Sequence, residues 1–253
     1  MQQTFVAQHS VVRKIWGKAD IVLFIFAGAA AEFALNKEVD WLYFTGKLPK
    51  DPLGRMFSTV TYAHRIIFMD TDSAHAAIDQ INVIHKNVEE KRGQRIPEWA
   101  YRDVLYLLIF YSITAFELLE RRMTAAEKEE VFTVFAEMGR RMHIGGLPGN
   151  YQAWLQQRNA HLHNNLECSI FSSDLFLQYK RQLHPLRYGI MRQVQAWLAP
   201  ARVRELLLLS RRKSFPALLR LYRVVRGTYT QYCLIPMLIP RPYYQQVYDL
   251  NRR

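Results

Sequence analysis

Apolar residues recur at spacings of three and four along most of this 253-residue chain, whereas strict alternation of polar and apolar residues is scarce. The first pattern is typical of amphipathic α-helices and the second of half-buried strands. Glycine (11) and proline (10), which interrupt helices, are sparse, and half of the residues are hydrophobic. We therefore predict an all-α fold, a single multi-helix globular domain spanning residues 1–253.

Helix boundaries are predicted where capping residues, prolines and glycines break the pattern. Asp51 followed by Pro52 is typical of a helix start. Thr124 and Glu127 have the spacing of a capping box, and Asp20 is predicted to cap the apolar helix that follows it. The predicted helices cover residues 20–35, 52–69, 73–90, 98–122, 125–143, 150–166, 173–183, 186–198, 201–210 and 215–235.

Positive charge is concentrated in the C-terminal third of the chain. The net charge is +12, and the segment from Lys180 to Arg226 contains twelve basic residues and one acid, Glu205, hence +11. This segment is either a solvated helical surface or a contact for anionic lipid headgroups, a polyanion or acidic groups of a ligand. No arginine–glycine tract or aromatic RNA signature accompanies the charge, so a nucleic-acid partner is not expected.

A membrane-spanning segment is not expected. The apolar run at residues 21–35 has 15 residues and contains Glu32, whereas a spanning helix needs about 20 apolar residues. This run is predicted to form a buried core helix. No secretory signal is apparent, and Cys168 and Cys233 have no zinc-like or disulfide-framework spacing. We expect a cytoplasmic protein, with peripheral membrane association left open and the oligomeric state undetermined.

His85 is the first candidate functional residue, since it lies in the apolar stretch "INVIHKNV". A buried imidazole needs a hydrogen-bond partner or a metal to offset its desolvation. Alanines toward the N-terminal end of the same predicted helix face would leave room beside the ring for a flat, bulky group. His85 is therefore either a satisfied core histidine or a ligand, and it shares its predicted buried helix face with Ala74, Ala77, Ile78, Ile81, Ile84 and Val88.

Further candidates lie upstream of His85. Arg55 and Thr59 are four residues apart and hence on one helix face, and an arginine in a first turn opposes the helix dipole. Glu32 is a lone carboxylate in an apolar helix, a setting that raises the pKa of functional carboxylates. His64 could face a cofactor or the solvent.

The order and spacing of these segments resemble the MpaB/latex-clearing protein (rubber oxygenase) catalytic-domain family. The resemblance is clear over about residues 20–167, and it is looser in the basic C-terminal helices at about 173–253. It rests on the Glu32 helix and on the segments "KDPLGRMFST", "IIFMDTDSAHAAIDQINVIHKNV", "AYRDVLYLLIFYSITAFELL", "MTAAEKEEVFTVFAEMGRRM" and "LPGNYQAWLQQRNAHL".

The resemblance implies an oxygenase that binds haem b in a buried pocket. By this resemblance, His85 is the proximal iron ligand, and Arg55 and Thr59 lie near the reactive or propionate side of the haem. Glu32 stands where relatives have glutamine or glutamate and would move a proton, while His64 is a further candidate haem contact. The implied substrate is apolar, either an isoprenoid or another unsaturated compound.

Two departures from the family pattern bear on the substrate. Rubber-cleaving members carry a lysine immediately before the threonine, where this chain has Ser58. A histidine common in the long helix of the family is missing near "LLIFYS". The first departure argues against rubber as the substrate and against the same distal ligation.

Three classes of function remain open from the sequence. The first is a haem-dependent oxygenase acting on an apolar small molecule. The second is a haem-binding sensor or carrier without catalysis, which the altered distal positions favour. The third is a cofactor-free helical protein that binds an anionic membrane or a partner through its basic C-terminal half.

Overall fold

The computed structural model describes residues 3–44, 50–226 and 239–250, and it confirms the all-α fold. Within these ranges the only β-type pairings are two isolated bridges. The helices are α1 (Val11–Trp16), α2 (Ala19–Phe33), α3 (Asp40–Phe44), α4 (Pro52–Phe68), α5 (Thr71–Arg92), α6 (Glu98–Leu119), α7 (Ala125–Arg141), α8 (Tyr151–Asn164), α9 (Ile170–Gln182), α10 (Pro185–Leu198), α11 (Ala201–Leu206), α12 (Phe215–Val225), a 3₁₀ turn (Arg241–Tyr243) and α13 (Tyr244–Tyr248).

Most helix starts lie where capping chemistry predicts them. The Asp51 carboxylate accepts the Gly54 N–H at 2.9 Å, and Pro52 begins α4. Thr124 and Glu127 form the predicted capping box at the start of α7. Helix α5 ends at Gly93, whose φ of 70° is a left-handed conformation that glycine adopts without steric penalty.

Several boundaries differ from the sequence-based expectation; helix α9, for example, begins at Ile170 instead of residue 173. Asp20 is not the cap of α2 but lies in its first turn, where its carboxylate pairs with Arg226 at 2.7 Å. A long-range ion pair thus takes the group that local spacing assigned to capping. Helices α6 and α11 end earlier, at Leu119 and Leu206. Helix α12 also ends earlier than predicted, at Val225 instead of residue 235, and residues 227–235 lie outside the described part of the chain.

Helix α2 is the centre of the core and packs along α6. Buried residues occur on all sides of α2, as expected for a core helix rather than a surface one. Gly28 allows the close approach, because a Cβ at this position would lie 2.3 Å from the Tyr111 ring. No helix in the described ranges is both long and apolar enough to cross a membrane.

Helices α4 and α5 form an antiparallel hairpin that carries most of the candidate site residues. Only Met69 and Asp70 separate the two helices, and such short connections place consecutive helices side by side. The C-terminal segment packs on α4. There the Tyr243 ring stacks on Phe57 with centroids 4.6 Å apart.

Candidate functional site

His85 lies in the C-terminal half of α5 and is half-buried. Its ring contacts the Tyr101 ring at the start of α6, with centroids 5.0 Å apart and planes inclined by 49°. The expectation of a buried imidazole is therefore met only in part. The physical reason is that α5 extends beyond the helices that cover its first half.

The covered part of the α5 stripe ends well before His85. Ala74 and Ile78 are buried, whereas Ile81 and Val88 are only half-buried. Ile84 is 37% exposed. Apolar side chains on the second half of this helix face thus remain in contact with solvent, which is unfavourable unless another apolar body covers them.

Burial and a neighbouring cation both favour the neutral form of the His85 imidazole. Burial lowers the pKa of His85, and the guanidinium of Arg55 lowers it further, while Glu89 opposes the shift. The neutral imidazole is the form that binds a metal. His85 is therefore available as a ligand near neutral pH.

Arg55 and Thr59 lie on the neighbouring helix of the hairpin. Arg55 precedes the α4–α5 turn by about as many residues as His85 follows it, and its charge acts on the His85 imidazole. Arg55 is half-buried and Thr59 is exposed. The Thr59 hydroxyl donates to the Arg55 carbonyl at 3.2 Å, and the Ser58 hydroxyl donates to the same oxygen at 3.1 Å.

A cavity of about 670 Å³ adjoins His85. Its wall is formed by α5, by the start of α6 with the loop before it, and by the turn after α7. In that turn His143 has a φ of 58°, a left-handed conformation that few residues other than glycine adopt. Charged side chains of both signs, Lys86, Glu89 and Arg95 among them, line the same cavity.

His64 lies apart from this group. On α4 it lies nine residues after Arg55, about 14 Å further along the helix at 1.5 Å per residue. The imidazole is buried, its Nε2 lies 3.2 Å from the Leu250 carbonyl, and its ring packs on Phe68. The contacts of His64 thus hold the C-terminal segment on α4. Its role as a haem contact stays a prediction.

Glu32 belongs to a buried ion pair that the sequence did not predict. Its carboxylate accepts two hydrogen bonds from the Arg158 guanidinium, one of them at 2.5 Å, and one from the Tyr111 hydroxyl at 3.0 Å. Both charged side chains are almost fully excluded from solvent. Burial alone would lower the pKa of Arg158, but the Glu32 carboxylate raises it above its usual value. A proton-transfer role for Glu32 stays a prediction.

The network continues from Glu32 to three further buried groups. His161 Nε2 lies 3.9 Å from Glu32, and His161 Nδ1 lies 2.5 Å from the Asp103 carboxylate. Asn36 donates to the second Asp103 oxygen at 2.9 Å. Burial raises the pKa of Asp103, although its contacts to His161 and Asn36 oppose this. The sequence contained one signal for these residues. Arg158 and His161 are three residues apart on α8, so they share a helix face.

Among the described residues around His85, the imidazole itself is the group that could bind a metal-containing cofactor. The described residues contain no group of three or more His, Cys, Asp or Glu side chains that could hold a metal ion. A porphyrin supplies four nitrogen ligands itself and needs only one or two axial ligands from the protein. His85 lies at the cavity wall, where it would supply one such ligand, and Lys86 and Arg95 would offer cations to carboxylates. Most of the other side chains that line the cavity are polar or charged.

Fold and site together define an all-helical protein with two histidines, His85 and His143, at the wall of one cavity. The chain belongs to the family described as ER-bound oxygenase mpaB/B'/Rubber oxygenase, catalytic domain, whose model matches residues 13–228. The match extends through the basic segment, beyond the region where the sequence resemblance is clear. No curated protein matches the chain. Membership of this family supports the assignment of the protein as an enzyme with an oxygenase-like function.

Proposed function

We propose that this protein is a haem b-dependent oxygenase acting on an apolar, unsaturated small molecule, with His85 as the proximal iron ligand. The observation that carries the proposal is the placement of a neutral His85 beside Arg55 on a helix face left partly uncovered. The bound haem would supply redox-active iron for reaction with dioxygen. The side chains around the haem would perform the remaining roles in the reaction.

His85 would fix the position of the cofactor through one ring nitrogen. The ring contact with Tyr101 limits rotation of the imidazole. The Tyr101 hydroxyl in turn donates to Glu89 at 3.1 Å, which holds the tyrosine in place. Second contacts of this kind orient a ligating histidine and tune the group that it holds.

Arg55 would provide a fixed positive charge near the reacting atoms or the haem carboxylates. In a pocket from which water is largely excluded, a preorganised cation stabilises negative charge that develops on an oxygen atom. Thr59 lies one turn further along the same face of α4 and carries a hydroxyl. Its hydroxyl proton goes to the Arg55 carbonyl, so we propose that the Thr59 oxygen accepts a hydrogen bond on the same side of the site.

Two residues bear on the proton chemistry and on the substrate. Glu32 is bonded to Arg158. We therefore propose that any proton transfer by Glu32 takes place within the buried network that includes Arg158. Ser58 offers a hydroxyl, engaged with the Arg55 carbonyl, where rubber-cleaving relatives carry an amine. This difference supports a substrate other than rubber. The choice between cleavage and hydroxylation is left to product analysis.

The test is an absorption titration of the purified protein with haemin, beside His85→Ala and His143→Ala. His143 is a matched control, because it lines the same cavity and is a histidine. We expect wild type and His143→Ala to give the same stoichiometric Soret band, and we expect His85→Ala to lose or shift it. Reduced wild-type protein should then consume dioxygen in the presence of an apolar alkene.

Three outcomes would contradict the proposal. Full haem binding with an unchanged band in His85→Ala would remove His85 as the ligand. Loss of the band in His143→Ala alone would move the ligand to the other side of the cavity. A six-coordinate iron that does not react with dioxygen would indicate a sensor or carrier instead of an oxygenase.

A further inference from the structure

Helix α12 is anchored to the protein along one face only. Phe215 and Leu219 are buried, and the Phe215 ring stacks on Trp197 with centroids 6.1 Å apart. The Tyr222 hydroxyl donates to Asp20 at 2.8 Å, and Arg226 pairs with the same carboxylate. These residues recur at three- and four-residue spacing, so they occupy a single face of the helix.

The opposite face of α12 is apolar and exposed. Leu218 is 54%, Leu221 62% and Val224 77% exposed. These residues also recur every three positions and therefore form a second apolar stripe. One apolar face is enough to pack α12 on the core, and exposing a second apolar face to water is unfavourable. We therefore expect another apolar surface to cover this stripe.

Basic side chains border the exposed stripe. Arg220 lies beside it on the same helix, and the loop before α12 carries Arg211, Arg212 and Lys213, all exposed. The loop is pinned to α10, since the Arg212 N–H donates to Gln193 at 2.9 Å. The cations are thus held on a fixed part of the protein.

The carboxylates that contact α12 and the residue after it, those of Asp20 and Glu120, already form ion pairs. Asp20 and Glu120 both bond to the Arg226 guanidinium, at 2.7 Å in each case, and Glu120 also binds Lys18. In the part of the chain that the structure describes, Arg212, Lys213 and Arg220 are not in ion pairs. Their charge therefore remains available to an external anion.

We propose that the exposed face of α12 and the loop before it dock onto an anionic lipid bilayer. Leucine and valine side chains would enter the boundary between headgroups and acyl chains, and Arg220 with the loop cations would bind the headgroups. An apolar stripe bordered by Lys and Arg is the arrangement of helices that lie in a membrane interface. This inference does not depend on the proposed haem site.

A bilayer matches the two properties of this surface better than other polyanions do. A nucleic acid would satisfy the cations but would leave the exposed stripe in water. Phospholipid offers both an apolar phase and a layer of negative charge within the reach of one helix. Docking would also hold the protein at the phase in which apolar substrates are dissolved.

The experiment is flotation of the full-length protein with phosphatidylcholine vesicles, with and without phosphatidylglycerol. We expect binding to the anionic vesicles that falls steeply when salt rises from about 0.1 M to about 1 M, because the Debye length drops from about 10 Å to about 3 Å. Arg220→Gln should weaken binding about fivefold. Leu221→Asp should weaken it by about tenfold or more, because the leucine transfer from water is lost.

The matched control is Leu186→Asp at the start of α10. Leu186 is 61% exposed, almost the same as Leu221, but lies on another helix. This variant should bind vesicles as the wild type does. Both substitutions are at exposed positions, so the circular dichroism of each variant should match that of the wild type.

The proposal is overturned if the wild-type protein does not float with anionic vesicles, or if Leu221→Asp floats as well as Leu186→Asp. Sedimentation velocity of the same samples without lipid supplies a third result. A wild-type dimer that Leu221→Asp dissociates would identify a second copy of the chain as the occupant, and this would also overturn docking on lipid.

Discussion

Replacing Arg158 by methionine should destabilise the protein strongly, although the residue is distant in sequence from His85. The substitution keeps an unbranched side chain but removes the guanidinium that binds Glu32. Glu32 would then be a buried carboxylate whose remaining close hydrogen bond comes from Tyr111. Removal of either member of such a pair leaves an uncompensated charge in the core.

The magnitude follows from the burial of the pair. The Glu32 and Arg158 side chains are 1% and 2% exposed, so water cannot replace the lost partner. Breaking a buried ion pair of this kind costs about 3–5 kcal/mol. For a chain of this size that corresponds to a fall in Tm of roughly 6–20 °C. Glu32→Gln should cost a similar amount, because it leaves the Arg158 cation unpaired.

Urea unfolding followed by circular dichroism measures these free energies. The double variant Glu32→Gln/Arg158→Met should be at least as stable as the less stable of the two single variants, because neither buried charge remains. The exposed pair of Glu137 and Arg140, with an Nη2–Oε2 distance of 2.8 Å, is the control. Arg140→Met should change stability little. Additive losses in the double variant, or a small loss in Arg158→Met, would refute the reasoning.

Two further predictions follow from the core and from His85. Gly28→Ala should destabilise by about 1–3 kcal/mol in urea unfolding, because the new methyl group would overlap the Tyr111 ring; an unchanged midpoint would contradict the tight α2–α6 contact. Haemin affinity should fall as the pH drops through the folded-state pKa of His85, which burial and Arg55 hold below its ordinary value of about 6.5. A midpoint of affinity loss above that value in a pH titration would contradict the assignment.

The same pKa shift has a consequence for stability. A histidine whose pKa is lowered on folding binds more protons in the unfolded state, so it favours unfolding as the pH falls below about 6.5. His85→Ala should therefore flatten the acid side of the stability–pH curve of the cofactor-free protein. This contribution is absent well above the unfolded-state pKa.

The helices were largely predictable because their signals are local. Asp51 with Pro52, and Thr124 with Glu127, cap helices through contacts within a few residues, and both starts are confirmed. Asp20 was misassigned because its partner, Arg226, is about two hundred positions away. Spacing along the chain carries no information about such a pairing.

The candidate site was predictable only in part, for the same reason. The position of Arg55 beside His85 follows from a short hairpin, which sequence spacing describes well. The exposure of the second half of the α5 stripe depends on where neighbouring helices end. Likewise, the Arg158 partner of Glu32 comes from α8, so the lone carboxylate was visible in the sequence and its ion pair was not.

The most direct measurement is imidazole rescue of His85→Gly, followed by absorption and by dioxygen uptake in the reduced protein. If His85 is the iron ligand, the substitution should abolish or shift the Soret band. Added imidazole should then restore both the wild-type band and the uptake, while Arg55 and the cavity remain as they are. A His85→Gly protein whose spectrum equals that of the wild type, with or without imidazole, would contradict haem ligation by His85.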